Sequence, residues 1–184
     1  MAHISAGALK GFKLSVPSTL RATEGKVRQA IFNILGDAIL GMRVLDGFAG
    51  SGALGLEALS HGADFVAFVD ADPVAILAIR DNLARLEEEV SRDQWRVVQG
   101  ELPGAFETLA QAEAPFDLIL LDPPYRTDDG KKALQALTLH AILAPAGWVV
   151  VEHHRRTELP ASIGSLEQRK RHRYGDTVLS FYSG

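Results

Sequence analysis

At 184 residues and 47 % apolar content, with a mean hydropathy of +0.05, the chain has the length of one domain and enough apolar material for a substantial core. The absence of cysteine excludes disulfides, thiolate metal sites and a cysteine nucleophile, and fits a cytoplasmic protein. The net charge of −4 hides an asymmetry: residues 1–43 carry +4, residues 44–154 carry −11 and residues 155–184 carry +3. Basic ends flanking an acidic middle can form one surface for a polyanion if they meet in space; on charge alone, ordinary solvated faces explain them equally well.

Met1-Ala2-His3-Ile4 begins no signal peptide, and no apolar run reaches membrane-spanning length. Residues 3–16 read as two short strands around a glycine-containing turn, a predicted hairpin. Pro17 to Ala22 is loop. Thr23 is placed to cap a helix running to about Leu35, with Val27, Ile31, Ile34 and Leu35 on one face.

An alternating rhythm follows: strand Arg43–Asp46, helix Ala53–Ser60 ended by Gly62, and strand Phe65–Asp70. Asp72 and Pro73 then predict the cap and first residue of a helix reaching about Glu89. Strand Trp95–Gln99, helix Gly104–Gln111, strand Asp117–Asp122 and helix Asp129–Leu139 come next. Pro145-Ala146-Gly147 turns into strand Trp148–Glu152. Leu166–Tyr174 and Thr177–Tyr182 are extended runs around Gly175-Asp176, a hairpin signal. These elements predict an α/β fold with a mostly parallel, doubly wound sheet and an antiparallel pair at its C-terminal end. The expected organisation is one domain over 1–184, with 1–40 as an N-terminal extension and 41–184 as the core.

Two motifs fall at strand ends. In Phe116-Asp117-Leu118-Ile119-Leu120-Leu121-Asp122-Pro123-Pro124-Tyr125, an apolar strand stops at an acid and two prolines, which cannot extend a ladder. Ligands of open parallel sheets bind at that end. The Asp122 carboxylate and the rigidly aimed Pro123 carbonyl can accept the two N–H hydrogens of a planar exocyclic amine. Tyr125 can stack on its ring, so the tetrapeptide suits methylation of such an amine. The alternative is a plain proline turn with Asp122 solvated and Tyr125 plugging the core.

The second motif, Val44-Leu45-Asp46-Gly47-Phe48-Ala49-Gly50-Ser51-Gly52-Ala53-Leu54-Gly55, runs from strand through a glycine-rich bend into a helix. Its G-x-G-x-x-G spacing admits a dinucleotide. Asp46, however, would repel a pyrophosphate, whereas it can bond the ammonium of a methionine moiety. Asp70 is placed to take both hydroxyls of a ribose, a role that serves NAD and S-adenosylmethionine alike. Glu101, after the third strand, can approach an adenine amine or be a surface acid. The expected donor set is Asp46, Phe48, Gly50, Gly52, Asp70, Ala71, Glu101 and Leu102, meeting Asp122 on the adjacent strand at the switch point.

On Leu45–Ser60, Asp122–Tyr125 and the N-terminal run Arg21-Ala22-Thr23, Lys26-Val27-Arg28 and Phe32-Asn33, the chain resembles the RsmD family of 16S ribosomal RNA guanine-N2 methyltransferases. The resemblance covers nearly the whole length. It implies a class I, Rossmann-like methyltransferase fold with a seven-stranded sheet, S-adenosylmethionine as donor, and N2 of guanine 966 in small-subunit RNA as target. The implied catalytic residues are Asp122, Pro123, Pro124 and Tyr125. Two positions depart from the family pattern: Ala22 replaces the usual proline, and Gly47 replaces a bulkier residue, which would leave room near a methionine tail.

Arg21, Thr23, Lys26 and Arg28 are candidates for holding RNA near the catalytic edge, as are Arg169 and Arg171. Strand alternation would put Arg169, Arg171 and Arg173 on one face. A charged edge strand that deters aggregation explains the same cluster. A target base must leave its stack for Tyr125 to cover it, which favours loop or single-stranded RNA. With no separate recognition domain, the expected substrate is 16S RNA within a small-subunit ribonucleoprotein, met by a monomer. Adjacent His153 and His154 point to opposite strand faces, so no metal site is expected. The rival readings are another amino-methyltransferase (on DNA adenine, another ribosomal guanine or a protein amide), a nucleotide-binding oxidoreductase, and a non-catalytic RNA-binding module.

Overall fold

A computed structural model describes residues 2–20, 25–125 and 127–184. Its strands are β1 (Arg43–Gly47), β2 (Phe65–Asp70), β3 (Trp95–Gln99), β4 (Phe116–Leu121), β5 (Leu143–His154), β6 (Ser162–Ile163), β7 (Leu166–Tyr174) and β8 (Thr177–Ser183). They form one sheet in the order β3-β2-β1-β4-β5-β8-β7-β6. The first five are parallel, and the remainder join antiparallel. Parallel strands need crossovers, and these are helices α2 (Ala53–Ser60), α3 (Pro73–Ala84), α4 (Ala105–Ala112) and α5 (Asp129–Leu137). Helix α1 (Gly25–Leu35) precedes the sheet.

The central strands are apolar on both faces because both are covered. On one face, Val44, Val66, Phe68, Leu118 and Val150 pack with α1, α2, α3 and the N-terminal segment. On the other, Leu45, Val69, Ile119, Val151 and Tyr182 pack with α4 and α5. Helix α2 lies so close to β2 that a Cβ on Gly55 would come within 2.3 Å of Phe68, which requires glycine there.

Asp72 caps α3 by accepting from the Val74 N–H at 2.8 Å, with Pro73 in the first turn. The helix stops at Ala84 rather than near Glu89. Three consecutive glutamates oppose the dipole at a helix C-terminus, and the following turns bury Leu86 and Val90. Strand β5 begins earlier than Trp148: Phe116 pairs with Leu143 and Leu118 with Trp148, so Pro145-Ala146-Gly147 bulges within the strand. The short β6 adds an eighth strand to the expected seven.

The N-terminal segment forms the expected hairpin in short form, and it is also held by α2. His3 bridges Lys13, the Ile4 N–H donates to Phe12 O at 2.9 Å, the Gly11 N–H to Ile4 O at 2.9 Å and the Leu14 N–H to Ala2 O at 3.0 Å. Glu57, fully buried, accepts from the Ser5 and Ala6 N–H groups at 3.0 and 3.1 Å and from the Ser5 hydroxyl, while the Leu9 N–H donates to Ser60 Oγ at 2.9 Å. Further along, Asn82 accepts from the Ser15 N–H at 2.8 Å and donates to Ser51 O at 3.1 Å, tying this segment to the bend after β1. Among the described residues, no helix is long and apolar enough to cross a membrane.

Candidate active site

Neighbouring β1 and β4 run parallel, with their connections leaving in opposite directions, so a crevice opens beyond their carboxyl ends. A cavity of about 470 Å³ occupies it. Its walls come from Phe48–Ser51 after β1, Asp70–Asp72 after β2, Gly100–Leu102 after β3 and Asp122–Tyr125 after β4. Leu20, Ala53, Val69 and Asp129 complete the lining.

The bend after β1 is shaped by its own backbone. Phe48 has φ 61°, a left-handed conformation that is costly for a side-chain-bearing residue, and its ring forms part of the wall. Gly52, at φ 80°, turns the chain into α2. The three motif glycines have committed N–H groups: Gly50 donates to Asp70 Oδ2 at 2.8 Å, Gly52 to Ala49 O at 2.8 Å and Gly55 to Asp46 Oδ2 at 2.8 Å. A pyrophosphate cradle needs such donors turned toward the ligand. Here carboxylates and a carbonyl take them.

The charge of the cavity points the same way. Asp70, Asp72, Glu101, Asp122 and Asp129 line it, with no lysine or arginine among the described lining residues. Asp46 lies beneath the bend, 1 % exposed, with Oδ1 lacking a hydrogen-bond partner. Burial drives its carboxyl well above the usual range; the Gly55 N–H opposes this, while the charges of Asp122 and Asp70 add to it. Such an enclosure suits a cationic ligand and disfavours a polyphosphate.

Of the expected donor residues, Phe48, Gly50, Asp70, Ala71, Glu101 and Leu102 stand in the wall. Asp46 and Gly52 do not: one is under the floor, and the other packs toward Phe68 and Ile79. The space beside Gly47 is filled, since a Cβ there would meet Leu102 at 2.8 Å and Leu121 at 2.9 Å. All of Asp122, Pro123, Pro124 and Tyr125 line the cavity. The Tyr125 hydroxyl donates to Glu152 Oε1 at 2.7 Å and lies 2.7 Å from Thr177 Oγ1. Leu20, Gly100, Asp72 and Asp129 were missed by the sequence reading; a place just beyond a strand end was the available signal for Gly100 and Asp72.

The RNA candidates divide. Arg21 and Thr23 lie outside the described residues. Lys26 is exposed on α1. Arg28 is not available to phosphate: it is 3 % exposed, pairs with Glu57 at 2.9 Å and donates to His3 O at 2.6 Å. Arg169, Arg171 and Arg173 do not share a face. A bulge between Gln168 and Lys170 shifts the register, so Arg171 pairs with Ser180 and Arg173 with Val178, while Arg169 turns to Glu167 and Ser183 on the other face. His153 reaches Ser180 at 2.9 Å on one face, and His154 sits against Tyr125 on the other; no metal-binding cluster occurs among the described residues.

Strand order, helical layers and a crevice between the glycine bend and the end of β4 together define a class I methyltransferase fold. Solved structures agree. A candidate methyltransferase, yhhF, from Escherichia coli superposes with a TM-score of 0.81 at 32 % identity, covering 98 % of this chain and 96 % of that one. A Thermus protein, TTHA0928, gives 0.84 at 26 % identity over the whole of both chains.

Residues 2–183 match the family described as conserved hypothetical protein 95, and the chain belongs to it, the RsmD family. Among its relatives, a candidate rRNA methyltransferase, YlbH of Bacillus subtilis (strain 168), is 36 % identical over 182 residues, 98 % of this chain and 97 % of the relative. The ribosomal RNA small subunit methyltransferase D of Escherichia coli (strain K12) is 35 % identical over 160 residues, 86 % of this chain and 77 % of the relative.

Proposed function

We propose that this chain is a cytoplasmic S-adenosylmethionine-dependent methyltransferase acting on N2 of a guanine, guanine 966, in 16S ribosomal RNA within a small-subunit ribonucleoprotein. One relation carries the reading: Asp122 and Pro123 flank the same acidic cavity as the glycine bend of the neighbouring strand. The names of the relatives from Escherichia coli and Haemophilus influenzae support a small-subunit RNA substrate.

S-adenosylmethionine supplies an electrophilic methyl on a sulfonium and, with its ammonium, a cationic character that matches the carboxylate-lined wall. Among the lining residues, Asp70 would take the ribose hydroxyls and Glu101 the adenine amine, while Phe48 and Leu102 would offer apolar contact. Asp122 and the Pro123 carbonyl accept the two N–H hydrogens of the guanine amine, aligning its lone pair with the methyl carbon. As the N–C bond forms, the C–S electron pair goes to sulfur. The surplus proton then leaves the nitrogen to water or through Asp122, so no prior general base is required. Tyr125 covers the flipped base.

A dinucleotide oxidoreductase is the rival from another class; the committed glycine N–H groups and the acidic wall weigh against it. The test is Asp122→Ala. Methyl transfer to 16S RNA should vanish while calorimetry still detects S-adenosylhomocysteine binding. Undiminished transfer would remove Asp122 from the chemistry, and mapping of methylated guanines in cells with and without the gene would identify the base.

A further inference from the structure

The cavity that receives the target base offers nothing to the chain that carries the base. Its described lining holds five carboxylates and no cation, so phosphates on either side of a flipped nucleotide are repelled from it. A compensating basic surface must lie outside the mouth, at the same end of the sheet. The register of the C-terminal strands builds one. Strand β5 runs parallel to β4 and ends at His154, opposite Thr177, where β8 begins and β7 has just ended.

Arg155 follows β5 directly, and Arg171 and Arg173 project from β7 on the face of Ser180 and Val178. These three arginines and Val178 line a concavity of about 300 Å³. Arg155 is held by Asp176 at 2.6 Å through Nε, and Arg173 Nε donates to Gly175 O at 2.9 Å, which orients both guanidinium groups. Arg171 makes no hydrogen bond or ion pair among the described residues. Thr177 and His154, which both contact Tyr125, adjoin Val178 and Arg155 in the chain but project from the opposite face of the sheet, so the concavity and the catalytic turn meet only at this end of β5 and β8.

We propose that Arg155, Arg171 and Arg173 form a docking site for phosphodiesters of the RNA strand whose target nucleotide enters the cavity. This rests on the RNA-methyltransferase reading above. Asp176 orients Arg155 without filling the site, since it engages only Nε. Arg169, thrown to the opposite face by the bulge, takes no part.

The experiment measures binding of protein-free 16S RNA, and of small subunits from cells lacking the gene, against salt concentration for the wild type, Arg171→Ala/Arg173→Ala and Arg169→Ala. The double variant should bind whichever probe the wild type binds about tenfold more weakly, with a logarithmic salt slope smaller by roughly 1.5, as expected for two lost phosphate contacts. Arg169→Ala should keep the wild-type slope, and all three should bind S-adenosylhomocysteine alike. Unchanged affinity and slope in the double variant, or equal losses in Arg169→Ala, would overturn the docking site. So would self-association of the double variant in sedimentation with RNA binding intact, which marks a charged guard on an edge strand. RNA binding lost in the double variant, with a wild type that methylates no guanine, would sink the methylation reading and keep the site. Methylation with undiminished affinity would sink the site alone, and a wild type that binds neither probe would sink both.

Discussion

The backbone N–H of Gly50 donates to Asp70 Oδ2 at 2.8 Å, and the other oxygen of that carboxylate accepts from the Asp72 N–H at 2.9 Å. One side chain thus joins the bend after β1 to the cap of α3. Losing a hydrogen bond to a charged group costs about 1.5–3 kcal/mol. Asp70→Ala should therefore weaken S-adenosylhomocysteine binding by at least about tenfold, read by calorimetry, with Asp70→Asn in between. An affinity equal to wild type would leave Asp70 as a bystander.

Tyr125 is anchored through its hydroxyl by Glu152 and Thr177, which fixes its ring in the cavity wall, where the proposed base would stack. Glu152→Ala should free the ring and lower kcat by about tenfold, equivalent to about 1.4 kcal/mol at the barrier. Donor affinity should stay unchanged. Steady-state rates alongside calorimetry separate the two; a parallel loss of both would indicate general disruption instead.

Arg28 and Glu57 form an ion pair that is 3 % and 0 % exposed, and Glu57 also organises the N-terminal segment. Removing one member leaves a buried charge without its partner. Arg28→Ala should destabilise the protein by about 3–5 kcal/mol in denaturant titration. The salt slope of RNA binding by the protein that remains folded should not change. A shallower slope with wild-type stability would return Arg28 to the RNA surface.

Asp46 has its carboxyl raised, chiefly by burial. The folded state therefore retains a proton that the unfolded state has released. Stability falls as pH rises from the usual carboxylate range through the raised folded value, because ionisation inside the fold is penalised. Asp46→Asn should remove that slope, so its melting temperature gains on wild type as pH rises. A cation in the cavity favours ionised Asp46, so wild-type affinity for S-adenosylmethionine should increase over the same window and that of the variant should not. Coincident pH profiles would show that Asp46 does not titrate there.

Much of the fold is written locally. Strands Phe65–Asp70 and Trp95–Gln99 and helix Ala53–Ser60 have the bounds that periodicity and glycine or proline punctuation predict. The end of α3 was misjudged because its apolar spacing continues past Ala84 into turns that still feed the core. The site was legible where chemistry sits on a strand end: Asp70, Glu101 and Asp122 follow from the α/β rhythm. Arg28 was misread because its charge is visible in sequence, whereas its partner Glu57 lies 29 residues away on another helix.

By itself, the sequence determined the order of elements, the two motif-bearing strand ends and the family, since each depends on neighbours within a few residues. Only the tertiary structure decided which charges remain exposed. Long-range pairing buries Arg28, sets Asp46 beneath the cavity, closes the space beside Gly47 around Leu102 and Leu121, and turns Arg169 away while bringing Arg155 to Arg171 and Arg173. A one-residue shift in strand register reverses the face of a side chain, and no local pattern in β7 records it.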